Sequence, residues 1–420
     1  MAGWLMSAAS ENAADIKSVA QAQRQELLGL CAELVSARSP QPEGDTTAPV
    51  RVLSAFLEKH GLRPEIRSAT PTKPNIVCGF DTGRPGPHLI LNGHMDTLNP
   101  GDPSDWLVPI YQLQQQAGRI TGLGIGNMKA GVAALAMAYV GLSRNRAALC
   151  GKITLTLVAD EVVFGPDGTA FLLDGDESLL GDAVINAEGP GGMNLAIAEK
   201  GLLWLSIEAT APPGQGMLSQ QGSSAIARLS KLLASLDQWN DEQSAPPPDV
   251  AVLANNAGEH GLRLSVNAGT ISGGSFVSQV ATRAVAEVDF RVPPGMKIDK
   301  IMKRVCALAE QIGGIKVTRI KGWDPNWTAI DSELCTAMLD ATAAIRGEAA
   351  RSVVRLPASD AARWRARGIP AICYGPQAEL ASGVNDYVYE EDVVDCVAVY
   401  MAAAAQICGG EGRGATWLSL

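Results

Sequence analysis

The chain lacks several features that would place it in a class at once. It has no block of basic residues, and its formal net charge is -10. Nucleic acid and anionic membrane are therefore not expected as its main partners. It has no Cys-x-x-Cys pair. Its eight cysteines (Cys31, Cys78, Cys150, Cys306, Cys335, Cys373, Cys396, Cys408) are scattered, most of them in apolar runs. That pattern fits buried free thiols in a reducing compartment better than a disulfide framework. The most membrane-like stretch, residues 128–142 (MKAGVAALAMAYVGL), is too short to span a bilayer and reads as a buried small-residue helix. The opening MAGWLMSAASENAADIK has no basic region and no long apolar core, so it is not a signal peptide. There is no internal repeat. Histidine is scarce, with four in 420 residues. A soluble cytoplasmic protein of two or three domains is the expectation, and 46% apolar residues suffice for its cores.

The spacing of apolar residues divides the chain in three. Residues 1–21 read as a loose lead-in. Helical spacing follows at 25–39 and 50–61, then strand-like runs at 74–80, 88–92, 153–159 and 183–186, with the helix 128–142 among them. Strand–helix alternation with apolar strands indicates an α/β domain with a mostly parallel sheet flanked by helices. Near residue 200 the pattern changes. Strands at 202–209, 263–271, 280–291 and 317–320 and helices at 223–236 and 298–312 describe a smaller α+β insert, with a Pro/Asn-rich loop at 237–256. The α/β pattern resumes with a helix at 332–345, a strand at 371–374 and a helix at 390–407, before a glycine-rich tail read as mobile. The expected division is 22–199 and 322–409 for one domain, interrupted by 200–321.

What is present is a set of motifs at strand ends. GHMDT (93–97) follows an apolar run and sets His94 and Asp96 at i,i+2, an imidazole backed by a carboxylate, as a zinc site requires. GNMKAG (126–131), ADEVVFGPDGT (159–169) and NAEG (186–189) follow in order. The set resembles the zinc aminoacylase/carboxypeptidase family: acetylornithine deacetylase, succinyl-diaminopimelate desuccinylase, aminoacylase and glutamate carboxypeptidase. The likeness runs from about residue 26 to 407. It implies a catalytic α/β domain interrupted by a lid that dimerises, with two metals sharing a carboxylate bridge.

Carried over residue by residue, that resemblance yields an incomplete metal centre. The first metal's histidine is His94 and its acidic ligand Glu188. The bridging carboxylate falls on Asn127. The family's Glu-Glu pair falls on Glu161 and Val162, which keeps the general base and loses a ligand. The C-terminal histidine falls on Ser382. Valine cannot coordinate, serine is a poor zinc ligand, and an amide bridge removes an anion from a cage for dications. The expectation is no di-metal centre, and either no cofactor or at most one divalent metal such as zinc at His94, Glu188 and Asn127. Without a metal, His94 would be free to titrate, and a His94–Asp96 dyad could act as acid/base. Beside Asp160 and the apolar Val162, Val163 and Phe164, Glu161 should have a raised pKa. In the lid, the family's oxyanion histidine falls on Gln215 and its asparagine on Ser278. Arg291 matches the arginine that pairs with a substrate carboxylate through a bidentate fork. Asp360 matches a position near the site, the pair Ala358-Ser359 precedes it in place of the family's Gly-Thr or Gly-Ser, and the arginine often found two residues later is Ala362, with Arg363 beside it. His60, His88 and His260 fall outside the motifs.

Three functions stay open on the sequence. One is a metallopeptidase- or deacylase-like hydrolase of a small, carboxylate-bearing amino-acid derivative, with Glu161 as acid/base. The second is a metal-independent enzyme repurposed for cyclisation, ring opening, elimination or isomerisation. The third is a non-catalytic binding homologue. A homodimer through the lid and a small-molecule substrate are the expected partners.

Overall fold

The computed structural model describes residues 13–378 and 383–409. These form two compact units. The first comprises the described residues up to Ile197, then Thr328–Ser352, and those from Ser359 onward; the second comprises Ala198–Trp327 and Val353–Ala358.

The first unit is built on a large mixed sheet that is parallel at its centre. Strand His88–His94 lies between Lys152–Val158 and Ala183–Asn186, parallel to both, and Ala371–Cys373 pairs in parallel with Ala183–Asn186. Pro74–Asp81 and Glu65–Ser68 add antiparallel strands on one side. The central strands are buried along nearly their whole length. This is why they read as continuous apolar runs rather than alternating ones. Against them lies the helix Ala130–Arg144, buried from Ala130 to Leu142. Its small residues allow close approach: a Cβ on Gly131 would come within 2.5 Å of the Ala187 carbonyl oxygen. The stretch Ile125–Arg144 is long and apolar enough to cross a membrane by composition, but 94% of its most apolar window is buried inside the protein. It is a core helix.

In the second unit, four antiparallel strands run in the order Ser265–Gly273, Arg283–Val292, Gly201–Thr210, Ile315–Trp323. Helices Ala225–Asp237 and Ile298–Ile312 bury their apolar stripes against one face, with Leu203, Leu205, Ile207, Val288 and Phe290. The alternation in Arg283–Val292, and in Gly201–Thr210 from Leu203 onward, follows from this one-sided burial.

Three readings need correction. The lead-in is helical from residue 13, with Ala13, Ile16 and Ala20 buried. Their i, i+3, i+7 spacing carried that signal. The strand at 202–209, expected from the sequence to be an edge that a partner copy would cover, is interior: Arg283–Val292 and Ile315–Trp323 pair with it on either side, and the edges are Ser265–Gly273 and Ile315–Trp323. The loop at 237–256 contains short helical turns, Gln238–Asp241, Pro248–Val250 and Leu253–Asn256. The tail from residue 410 lies outside the described residues.

Candidate active site

Sheet register assembles the site. Asn92 stands opposite Thr156 on one side and Asn186 on the other, and His94 opposite Val158. Three parallel strands therefore end together, and the residues just beyond them (Asp96, Glu161 and Glu188) are delivered to one place. Ligand sites of open α/β sheets lie at such carboxyl ends. A polar ladder fixes the alignment. Asn92 Nδ2 donates to Thr156 Oγ1 (3.1 Å), Asn186 Nδ2 donates to Asn92 Oδ1 (2.7 Å), and the Glu188 amide donates to Asn186 Oδ1 (2.8 Å). Each buried group in the ladder has a partner, which makes it a rigid support.

His94 and Asp96 are completely buried, and Glu161 and Glu188 nearly so. The His94 ring is held at both nitrogens. Nδ1 lies 2.9 Å from the Asp96 backbone carbonyl and 3.5 Å from its carboxylate. Nε2 lies 2.9 Å from Asn127 Oδ1, 3.5 Å from Glu161 and 3.9 Å from Glu188. All these neighbours are oxygens. Burial opposes charge on the ring, but Glu161, Asp96 and Glu188 outweigh it and hold the imidazole well above its ordinary pKa. The Asn127 amide oxygen engages the nitrogen that faces the carboxylates.

Asp96 is a hub. One carboxylate oxygen accepts from the Glu161 amide (3.2 Å), the other from the Val162 amide (3.1 Å) and from Gln41 Nε2 (2.8 Å). Burial works against its charge, but the hydrogen bonds and the imidazole win, and its pKa is lowered. Glu161 goes the other way. Burial first and the Glu188 carboxylate second drive its pKa well up, with His94 opposing. The direction is as expected from the sequence, but the cause differs. Asp160 is paired with Lys73, and Val163 is nearly half exposed. Glu161 Oε1 is buried and has no hydrogen-bond partner among the described residues.

His94, Glu161 and Glu188 each offer a ligand atom, all within 4.8 Å of one another. With the Asn127 amide oxygen beside them, this donor set fits one divalent cation. Among the described residues no second group of three His, Cys, Asp or Glu ligands accompanies it. Val162 presents a main-chain N–H to Asp96 and an apolar side chain, and Asn127 supplies no anionic bridge. Ser382 lies outside the described residues.

Three contributors escaped the sequence reading. Gln41, from a distant loop, holds Asp96; nothing near it in the chain signals this. Lys129 lies inside the quoted GNMKAG motif; its buried ammonium donates to the Ala37 carbonyl (2.7 Å), and burial lowers its pKa to about 7. Asp386, at the end of ASGVND, accepts from the Gly126 amide (2.8 Å) and the Asn127 amide (3.4 Å), and burial raises its pKa to about 7. A Cβ on Gly126 would collide with that carboxylate, so the segment leading into Asn127 requires glycine there.

The other candidates are placed as follows. Ser359 is buried with its hydroxyl 3.1 Å from Cys373 Sγ. Asp360 is buried, and one of its oxygens lies 3.3 Å from Arg363 Nε. In the second unit, Arg291 Nε donates to Asp289 Oδ2 (2.9 Å), while Asp289 Oδ1 accepts from Trp204 Nε1 (2.8 Å). Gln215 and Ser278 are brought together: Gln215 bridges to Gln279, and the Gly216 amide donates to the Ser278 carbonyl (2.7 Å).

A family model described as Peptidase family M20/M25/M40 matches residues 90–406. A probable succinyl-diaminopimelate desuccinylase of Staphylococcus aureus is 30% identical over 177 residues, 42% of this chain and 43% of that protein. An N-formyl-4-amino-5-aminomethyl-2-methylpyrimidine deformylase of Halalkalibacterium halodurans is 24% identical over 67% of this chain and 66% of its own length. The match to the desuccinylase thus spans less than half of that relative. In fold, human carnosine dipeptidase 1 superposes with a TM-score of 0.72 at 15% identity, covering 94% of this chain and 98% of that one. A Bacillus subtilis protein described as a dinuclear metal-binding peptidase of the M20 family superposes at 0.67 with 14% identity, covering 91% and 98%.

Proposed function

The chain belongs to the M20/M25/M40 peptidase family, a peptidase- or deacylase-like hydrolase of C–N bonds, and on that premise we propose that it cleaves the amide of a small, carboxylate-bearing N-acyl amino-acid derivative with Glu161 as general base. One observation carries this reading. Inside a closed polar cluster, Glu161 keeps an oxygen that no other described group engages, on a carboxyl whose pKa is raised. A carboxylate with raised pKa is suited to accept a proton from water near neutral pH and return it to a leaving amine. Asp96 orients both partners of this chemistry: it faces the His94 ring and holds the main chain of Glu161. Arg291, with Nε tied to Asp289, keeps the two Nη groups for a substrate carboxylate.

His94, Glu188 and Asn127 would hold a single cation beside Glu161. Bound there, it would polarise the scissile carbonyl and acidify water. The lid would pair two copies of the chain. Its edge strand Ser265–Gly273 is exposed from Asn267 onward, and Ile271, Phe276 and Val277 are exposed apolar side chains; such edges are normally covered. The cytoplasm is the proposed location.

The test is turnover of N-succinyl-, N-acetyl- and N-formyl-amino acids and dipeptides, with and without chelator, by wild type and Glu161→Gln. Release of the free amine by wild type and its loss in Glu161→Gln support the reading. No amide cleavage in the set, with one member bound or converted without hydrolysis, overturns it.

A further inference from the structure

The turn that carries Glu161 is held in an unfavourable conformation at both ends. Asp160 and Phe164 have φ of +64° and +53°, a region in which a non-glycine residue persists only where its surroundings over-determine it. The near end is fixed. Asp160 pairs with Lys73 and accepts from the Asp167 amide (3.1 Å), and Asp96 takes the Glu161 and Val162 amides. Within the turn, the Phe164 amide donates to the Glu161 carbonyl (2.7 Å) and the Gly165 amide to the Asp160 carbonyl (2.9 Å). Gly165 is pressed so close that a Cβ there would collide with the Asp160 carboxylate.

Arg363, from the C-terminal part of the chain, reaches the far end. Arg363 Nη2 donates to the Gly165 carbonyl (2.9 Å), while its Nε lies 3.3 Å from the Asp360 carboxylate. Asp360 is buried, opens the short helix Ala361–Arg365, and receives the Arg363 amide on its carbonyl (2.9 Å). That helix is anchored by fully buried Trp364, whose Nε1 donates to the Leu179 carbonyl (3.1 Å). The guanidinium thus spans a buried carboxylate, which it meets as an ion pair, and the last residue of the turn, to which Nη2 donates.

We propose that Asp360 and Arg363 form a brace that positions Glu161 by locking the 160–165 turn from its far end, with Arg363 a positioning residue. This rests on Glu161 being the proton-transfer group. Lysine is a poor substitute, since one ammonium cannot reproduce a fork reaching a carboxylate and a carbonyl in different directions.

Hydrogen exchange followed by mass spectrometry tests the brace without any substrate. In Arg363→Ala, peptides covering residues 160–168 should exchange about tenfold faster or more, while peptides of the strand His88–His94 stay at the wild-type rate. Arg363→Lys should fall between the two. Unchanged exchange in the turn, or an equal rise in strand His88–His94, overturns the brace. If Arg363→Ala does not fold, Arg363→Lys and Arg363→Gln are read the same way. On any amide substrate the enzyme cleaves, Arg363→Ala should lower kcat about tenfold with KM within about twofold, and Arg363→Lys should recover part of the loss. An equal rise in KM alone counts against positioning. Full activity of Glu161→Gln would refute the catalytic reading and leave the exchange result to decide the brace.

Discussion

Replacing Lys129 by Met tests how the site tolerates a buried cation. The ammonium is almost wholly buried and donates to the Ala37 carbonyl. Burial lowers its pKa from 10.5 to about 7, with the Asp96 charge pulling the other way. The difference is about three and a half units, which at about 1.36 kcal/mol each sets a ceiling near 5 kcal/mol for the cost of keeping the folded protein charged. The folded pKa lies below the unfolded one. Below pH 7 both states carry the proton and the whole penalty is present. Between pH 7 and about 10.4 the folded state sheds its proton first, the unfolded chain binds more protons, and stability rises with pH. Met has similar length, cannot be charged and leaves the Ala37 carbonyl without its donor, a loss of about 1 kcal/mol.

The variant should therefore be more stable than wild type at pH 6.5, and that advantage should shrink by about 2–4 kcal/mol at pH 9.5. Urea unfolding of both proteins at the two pH values measures it as a double difference, in which groups common to both cancel. The transition to follow is that of the unit containing Lys129, because two compact units need not unfold together. An identical wild-type-minus-variant difference at pH 6.5 and 9.5 would refute the argument. It would mean that the ammonium stays charged and is solvated or paired.

The remaining predictions concern function and assembly. Glu161→Gln keeps the shape and removes the proton acceptor, so amide cleavage should fall about a hundredfold or more, measured as kcat. Because the basic form of Glu161 is needed and its pKa is raised, kcat/KM should climb with pH, with a midpoint well above the ordinary carboxylate value of about 4.3; a midpoint near 4 would show a solvated carboxylate. Elemental analysis should find no more than one tightly held divalent metal per chain, and two held metals with activity lost on chelation and restored by zinc would contradict this. Arg291→Lys should raise KM for carboxylate substrates while sparing kcat, since a point charge replaces a fork. Light scattering at micromolar concentration should report a dimer, and a monomer would remove the lid from the assembly.

Much of the architecture could be read from the chain because its signals are local. The helix expected at 298–312 is Ile298–Ile312 as found, since its apolar stripe has a helical period and faces one sheet. The strands at 88–92, 153–159 and 183–186 were legible as buried runs. Short strands such as Leu195–Glu199, Ser352–Arg355 and Tyr387–Tyr389 were not, because three to five residues carry too little period to separate strand from loop. The site divides in the same way. His94, Asp96, Glu161 and Glu188 could be named because the motifs that resemble the family carry them, at or just beyond strand ends. Gln41 and Lys73 could not, because their partners lie 55 and 87 residues away, and Arg363, though noted beside a matched position, could not be linked to the Gly165 carbonyl 198 residues away; only the fold brings these groups together.

That division explains how ligand positions can change while the frame of the site remains. Asp96 holds residues 161 and 162 by their main-chain amides, so the side chain at 162 can change and leave the turn intact. Asn127 is held by its own amide through Asp386, and its side chain, whether amide or carboxylate, would meet His94 from the same place. The scaffold is therefore written largely in backbone hydrogen bonds to buried carboxylates, and the chemistry in side chains that the scaffold does not constrain. A chain with this scaffold can lose one metal position and keep Glu161 poised. Substituting the scaffold carboxylates should accordingly be more damaging to folding than restoring a ligand. Asp96→Asn leaves three donors facing a weaker acceptor, at about 1–3 kcal/mol for a disrupted buried hydrogen bond, whereas Val162→Glu alters a partly exposed side chain and should change stability little while raising affinity for zinc. Calorimetric zinc titration and thermal unfolding of the two variants separate these effects. Equal destabilisation by both would show that the side chains, and not the main-chain contacts, hold the site together.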